Sequence, residues 1–447
     1  MLVNRRLAAA STRLVNHTRH LSSSTTSDKY KIVVVGAGSG GLSVANQIYD
    51  RFAAAGKALN PGDIAIVDAA EYHYYQSVSR TLVGSGLRSK STTRQPLASL
   101  IPKRLTHIPE NVKTFSPDSS SIVTTSGRSV SYDALVVAAG LQINWSGIQG
   151  LPQALVDSSS GVSSIYSYDT CDKAWNDIES LRNGNAIFTQ PAGVVKCAGA
   201  PQKIMWMALD RFKRTSRGDK IKVDFYTGMP TMFSVKKYSD VLDRLRQERG
   251  VGAHFNHNLT AIDHNNHKAT FKKADGTTVD VDYTTLHVTP PMGPLDFLKG
   301  SPIVDSAGWV SVDPATLQHT KPEYSNIFAL GDCSSAPTSK TATAVIAQAP
   351  VLTENLFTVM ETGKVLPSAK YDGYTSCPLL TGYGELLLAE FKYGLEPKET
   401  FPWMDQSKPN RFFYHLKKDL FPAAYWNLMV KGKWYGNKTI FRPTFSQ

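Results

Sequence analysis

The residues of this chain best suited to chemistry are two cysteines and a glycine-rich turn. Cys197 stands in KCAGAPQKIMW, beside Lys196 and just ahead of a helix expected to start near Pro201 and Gln202. A nearby cation and a helix N-terminus both stabilise a thiolate, which would make this thiol acidic and nucleophilic. It reads equally well as a small buried hydrophobe, as free cysteines often are. Cys377 stands in YTSCPLLTGY. Cys171, on an expected amphipathic helix, and Cys333, directly after Asp332, read as packed small residues. No CxxC or CxxH spacing occurs, which argues against zinc and thioredoxin-type sites, and no metal site is expected.

The glycine turn is Gly36-Ala37-Gly38-Ser39-Gly40-Gly41. A β-branched run at 30–35 (YKIVVV) precedes it and a helical pattern (LSVANQIYDRF) follows. That is the strand–turn–helix context in which GxGxxG binds a dinucleotide. Gly36 makes the tight turn, Gly38 admits a pyrophosphate to the backbone, and Gly41 lets the helix pack on the strand. The helix N-terminus offers free N–H groups to the phosphates. A second strand, DIAIVD, ends in Asp68, placed for ribose hydroxyls, and a loop extension at 54–61 accounts for its longer spacing. The bland alternative is a glycine-rich turn and a surface acid. Residues 71–84 (EYHYYQSVSRTLVG) read as a loop over the cofactor or as ordinary aromatic packing, and the strand at 131–140 (SYDALVVAAG) as the exit from this nucleotide fold.

A second alternation of helix and strand spans about 158–290, with strands at 185–190 and 221–227 and helices at 164–181 and 236–249. Here the first strand runs into PAGVVKCAGAPQK. Pro191, Pro201 and the bulky Val194, Val195 and Lys196 do not make a dinucleotide turn, so NAD(P)H binding is disfavoured. Further on, NIFALGD ends in Asp332, within reach of a ribityl hydroxyl. Lys340 and Thr341 then open a helical pattern at 341–356, whose N-terminus would favour a reduced, anionic flavin. Pro350 is expected to kink or shift that helix.

The net charge of +12 sits at the two ends of the chain. Residues 1–27 hold four arginines and no acid, and residues 408–447 hold eight basic residues against Asp419. The body is nearly neutral, so no basic face for nucleic acid is implied. The leader fits a mitochondrial transit peptide or a featureless N-terminal tail. At 410–435, aromatic and aliphatic residues interleave with Lys and Arg, and Pro422 divides two short amphipathic pieces. Such pieces suit a membrane interface with anionic lipid, or else a helical pair docked on the core or on a second copy. No apolar run is long enough to span a bilayer.

VVVGAGSGG, YYQSVSRTLVG, VKCAGAPQKIMW, LHVTPPM, ALGDCSSAPTSKTATAV, YDGYTSCPLLTGY, LAEFKY and ETFPWMDQSK together cover about residues 30 to 410. In these stretches the chain resembles the eukaryotic mitochondrial sulfide:quinone oxidoreductases. They are a branch of the two-dinucleotide-binding-domain flavoproteins that also includes type II NADH dehydrogenases. The resemblance implies an α/β fold of two Rossmann-like domains with a C-terminal membrane-binding region. The expected limits are 1–27 for the transit peptide, 28–157 with 300–375 for the FAD domain, 158–299 for the second domain, and 376–447 for the C-terminal region. It further implies a bound FAD and a Cys197–Cys377 redox pair. Ser39 and Gly40 would meet the phosphates, Asp68 the ribose, with Gln76 in the loop beyond and Val112 at the adenine through its backbone. Lys203, Asp332, Lys340, Thr341, Ala342 and Thr343 would surround the flavin and ribityl chain. No cysteine lies between Gly86 and Cys171, so the FAD is expected to be noncovalent.

The implied reaction starts from a bridged pair, as a disulfide or with an extra sulfur. Hydrosulfide attacks Cys377, leaves a persulfide there and releases the Cys197 thiolate. An acceptor such as glutathione or sulfite removes the sulfur, and two electrons pass through FAD to ubiquinone. The implied location is the matrix side of the mitochondrial inner membrane, held peripherally. The rivals are a type II NADH:quinone oxidoreductase, a sulfide dehydrogenase serving a cytochrome, and a non-catalytic redox-sensing flavoprotein. In the last, the two cysteines would stand too far apart to bridge.

Overall fold

The computed structural model describes residues 28–437 and 441–446, so the leader at 1–27 lies outside the described residues. The β-branched run Asp28–Val35 forms the middle of a seven-stranded sheet. It pairs in parallel with Ile64–Val67 and with Ser129–Val137. Thr106–Ile108 and Ile327–Ala329 extend the parallel part, and Ser121–Thr124 and Val112–Ser116 add an antiparallel flank. Ile32, Val33 and Val34 are fully buried, as a strand covered on both faces requires.

The helix Ser39–Ala54 follows the glycine turn and packs against Ala342–Thr362. Arg51 clamps Glu354 across them with two hydrogen bonds of 2.6 and 2.8 Å. The second helix runs through Pro350 and well beyond the expected 341–356. Val345, Ile346, Val351, Leu352 and Leu356 are buried along it, and that packing outweighs one lost backbone bond.

The second sheet is parallel, in the order Val162–Ser163, Thr285–His287, Gly184–Gln190, Ile221–Thr227, Gly252–Phe255. An antiparallel sheet of His257–Asp263, Lys268–Lys273 and Thr278–Asp282 packs beside it. Two local expectations change. The helix expected at 164–181 spans only Cys171–Ser180, because Val162 and Ser163 are drawn into the sheet and Thr170 bonds back to the Ser164 carbonyl. The loop expected at 71–84 is a strand, Tyr72–Tyr74, paired with Arg94–Pro96, followed by the helix Gln76–Gly84.

Past the two sheets, Thr375–Gly382 and Glu385–Phe391 form an antiparallel hairpin that carries Cys377. Residues 411–429 then form one helical rod in which α-turns alternate with wider π-turns. Pro422 does not divide it. The Lys418 carbonyl, which loses its usual donor to Pro422, accepts from Arg88 Nη2 at 2.7 Å instead.

The rod is docked on the protein rather than free to lie on a surface. Tyr425 stacks on Tyr75 with ring centroids 3.9 Å apart. Ser43 and Asn46, one turn apart on the first helix, donate to the carbonyls of Met429 and Val430. Of the apolar residues expected to face lipid, Phe413, Tyr414, Tyr425, Met429 and Val430 are buried, while Phe412 and Leu420 stay exposed. Among the described residues no helix is long and apolar enough to cross a membrane.

Candidate active site

A cavity of about 810 Å³ runs from the glycine turn to the C-terminal rod. Its volume falls within the roughly 300–1,000 Å³ usual for cofactor pockets. Gly36, Gly38, Ser39, Gly40 and Asp68 line one end. Gly36 takes φ +97°, which only glycine adopts freely. A Cβ on Gly41 would stand 1.7 Å from the Gly36 carbonyl oxygen, so Gly41 supports the turn from beneath and does not line the cavity. A Cβ on Gly38 would meet no atom within 4 Å, which leaves the backbone open to an approaching phosphate. No side chain caps the helix behind it. Asp68 is oriented by the backbone N–H groups of Ala37 (2.6 Å) and Ala70 (2.8 Å). An open, uncapped helix N-terminus with an oriented acid beside it fits a dinucleotide.

The Ser39 hydroxyl belongs to a buried relay. His73 Nδ1 lies 2.9 Å from the Ala37 carbonyl and must donate to it, so Nε2 accepts from the Tyr425 hydroxyl at 2.6 Å. That hydroxyl in turn accepts from Ser39 Oγ at 2.7 Å. Burial holds His73 below its usual pKa, consistent with a neutral ring. The C-terminal rod is thereby tied to the turn that would hold the phosphates.

At the other end, Cys197 sits just ahead of the helix Ala200–Arg214, in the left-handed region at φ +54°. Its N–H donates to the Lys340 carbonyl (2.9 Å) and its carbonyl accepts from Ala200 (2.7 Å), which together hold the strained turn. Its sulfur lies 3.9 Å from that of Cys377 and 3.1 Å from Lys203 Nζ. The Cys377 S–H and then the lysine charge hold the Cys197 thiol well below its usual range, despite burial. The same contact, with burial, pushes Cys377 well above it. Two lysines share this pocket. Burial opposes the ammonium of Lys203, but the cysteine sulfurs raise its pKa. Lys417, on the rod, is pushed well below its usual pKa by burial and by the Lys203 charge. The expected cation Lys196 serves elsewhere: its Nζ donates to Gln76 Oε1 at 3.1 Å, and burial lowers its pKa to about 8.

Hairpin register explains why Cys377 is fully buried. Ser376 pairs with Glu390, Pro378 with Leu388, and Cys377 with Ala389. Alternation sends the first four to one face, where all of them line the cavity. Cys377, Leu379, Leu387 and Ala389 face the other way, into the core of the second sheet. The hairpin thus sends the Cys377 sulfur to one side and on the other walls an apolar compartment of the cavity that Cys197 also lines. Phe401, Leu416, Leu420, Phe421 and Leu428 line that compartment. The exposed Trp403 and Phe412 flank Phe401, with centroids 5.7 and 5.9 Å from it.

Gln76, Lys203, Asp332, Lys340, Thr341, Ala342 and Thr343 all line the cavity. Thr341 caps the following helix by accepting from the Ala344 N–H. Thr343 bonds both backbone groups of Ser376, which ties that helix to the cysteine strand. Val112 is buried at the start of its strand and does not line the cavity. Sequence reasoning passed over Lys417, His73, Tyr425, Tyr374 and Glu390. Lys417 and Tyr425 carried a signal, basic and aromatic residues in one segment, but that signal points as readily to lipid as to a core.

The turn after the strand Gly184–Gln190 is tied to the strand His257–Asp263. Asn258 Oδ1 takes the Ala192 N–H at 2.7 Å, and a Cβ on Gly228 would strike both. Among the described residues no cluster of His, Cys, Asp or Glu could hold a metal ion.

Residues 30–180 match the family model described as pyridine nucleotide-disulphide oxidoreductase. A mitochondrial sulfide:quinone oxidoreductase of Schizosaccharomyces pombe is 49% identical over 94% of both chains. Its counterpart in Dictyostelium discoideum is 47% identical over 92% of this chain and 88% of its own. Among solved structures, the sulfide:quinone oxidoreductase of the bacterium Aquifex aeolicus superposes with a TM-score of 0.71. It covers 89% of this chain and 92% of its own, at 18% identity, a likeness of fold.

Proposed function

The chain belongs to the mitochondrial sulfide:quinone oxidoreductases, and from that premise we propose how its residues carry sulfur and electrons. The observation that carries the proposal is the Cys197–Cys377 contact at 3.9 Å with Lys203 on the Cys197 sulfur. The glycine turn, Asp68 and the segment 340–343 would hold FAD noncovalently, and it would supply a two-electron acceptor between sulfide and quinone. In the oxidised pair the two cysteines are bridged. Hydrosulfide attacks the Cys377 sulfur, the bridge breaks, and Cys377 is left as a persulfide. Cys197 departs as the thiolate, the better leaving group because its pKa is the lower of the two. Lys203 holds that negative charge.

An external nucleophile, glutathione or sulfite, then removes the outer sulfur and leaves the Cys377 thiol. The bridge re-forms as Cys377 loses its proton and two electrons leave the pair. For each hydrosulfide one sulfane sulfur, one proton and two electrons depart, which balances. Ubiquinone receives the electrons in the apolar compartment across the hairpin. The exposed Trp403, Phe412 and Leu420 beside that compartment support a peripheral seat on the inner membrane, facing the matrix. The tail thus serves as the compartment's wall and only in part as a foot.

A type II NADH dehydrogenase needs a glycine-rich second nucleotide turn; here Pro191, Val194 and Val195 stand in that turn and Asn258 Oδ1 takes its Ala192 N–H. Anaerobic mixing tests the difference. Excess NADH is expected to leave the flavin oxidised, and rapid bleaching by NADH would overturn the assignment of sulfide as donor.

A further inference from the structure

Glu390 is buried on the cavity face of the hairpin, only 3% exposed, and the sulfur chemistry does not use it. A buried carboxylate is costly unless its oxygens are satisfied. Here Oε1 accepts from the Tyr374 hydroxyl and from Thr400 Oγ1 (2.8 Å). Oε2 accepts from the Thr400 N–H (2.6 Å) and Gln406 Nε2 (2.7 Å). All four donors are neutral, and among the described residues no cation forms an ion pair with it. Tyr374 lines the same cavity, and its own burial pushes the phenol pKa up, so it stays protonated. Thr400 is half-buried and lines the cavity as well, and its hydroxyl accepts from Asn437 Nδ2 at 3.0 Å. A hydrogen-bonded chain therefore leads from the half-buried Thr400 to the carboxylate and on to a phenol inside the apolar compartment.

A quinone that takes two electrons must also take two protons to leave as the quinol, and apolar walls supply none. We propose that Tyr374 and Glu390 are the proton-transfer pair of the quinone half-reaction. This rests on the reading that the quinone ring occupies the apolar compartment. As electrons arrive on the quinone, the Tyr374 phenol gives its proton to a quinone oxygen. Glu390, having taken a solvent proton by way of the Thr400 hydroxyl, returns one to the phenolate. Each passage moves one solvent proton and restores both residues. Two passages with two electrons convert quinone to quinol.

The test separates the half-reactions in flavin-loaded Tyr374→Phe and Glu390→Gln. Flavin reduction by sulfide is expected within about twofold of the parent enzyme, and reoxidation of dithionite-reduced enzyme by a short-chain ubiquinone is expected to slow about 10²-fold. The parent reoxidation should carry a solvent deuterium isotope effect that the variants alter. Parental reoxidation rates in both variants, or equal slowing of both half-reactions, would overturn the proposal. If Glu390→Gln loses its flavin, Tyr374→Phe, which keeps the ring, decides alone. If quinone fails to reoxidise the parent enzyme, the functional reading falls instead.

Discussion

Cys197→Ser and Cys377→Ser are each expected to lower sulfide-dependent quinone reduction by at least about 10³-fold while FAD stays bound. The two sulfurs act as a unit, one accepting sulfur and the other departing with charge, so removing either should cost about as much as removing both. Neither side chain is needed to hold the cofactor. The glycine turn and Asp68 lie toward the other end of the cavity, and the segment 340–343 meets Cys197 and Ser376 through their backbone groups, which serine retains. Serine is close in size to cysteine, so the hairpin should keep its register. Quinone reduction by sulfide at an undiminished rate in either variant would remove the pair from the mechanism. Flavin content, read from the absorbance of the purified proteins, separates lost chemistry from lost cofactor.

The second large effect concerns the tail. Deleting residues 410–447 is expected to strip the protein of most of its FAD as well as its membrane attachment. Leu416, Lys417, Leu420, Phe421, Tyr425 and Leu428 form one wall of the cavity. Tyr425 also anchors the relay through His73 and Ser39 to the glycine turn. Its removal would open that wall to water and leave the bonds from Ser43 and Asn46 without partners. Combined Trp403→Ser and Phe412→Ser should behave differently. Flavin and the reduction of a soluble quinone should persist, while co-sedimentation with cardiolipin-containing vesicles is lost. Full flavin occupancy in the truncated chain would contradict the first expectation. Unchanged vesicle binding by the double variant would contradict the second.

The contrast between cysteine strand and tail shows what the sequence could carry. Strand–turn–helix at Val35 to Leu42 was legible because each glycine answers a steric demand made within a few residues. The failed second turn at 191–201 was legible for the same reason, since proline and valine exclude the conformation wherever the chain goes. The pairing of Cys197 with Cys377 was not legible from spacing and came only through family resemblance. Their contact depends on the hairpin register and on where the second sheet meets it. Lys203 was placed near the flavin, but its bond to the Cys197 sulfur depends on the turn preceding its helix. The tail was harder to read because an amphipathic segment reports an apolar face and not what covers it. Lys417 looked like a headgroup cation and is buried near Lys203 and Cys197. Pro422 looked like a break, and Arg88, distant in sequence, removes the cost of the missing backbone donor.

The most direct test of the central claim is an anaerobic titration of the purified protein with sulfide in the presence of sulfite, following the flavin absorbance. The flavin band should bleach in proportion to added sulfide, and a quinone analogue should restore it. A flavin that stays oxidised under excess sulfide, or stays reduced when quinone is added, would contradict the account.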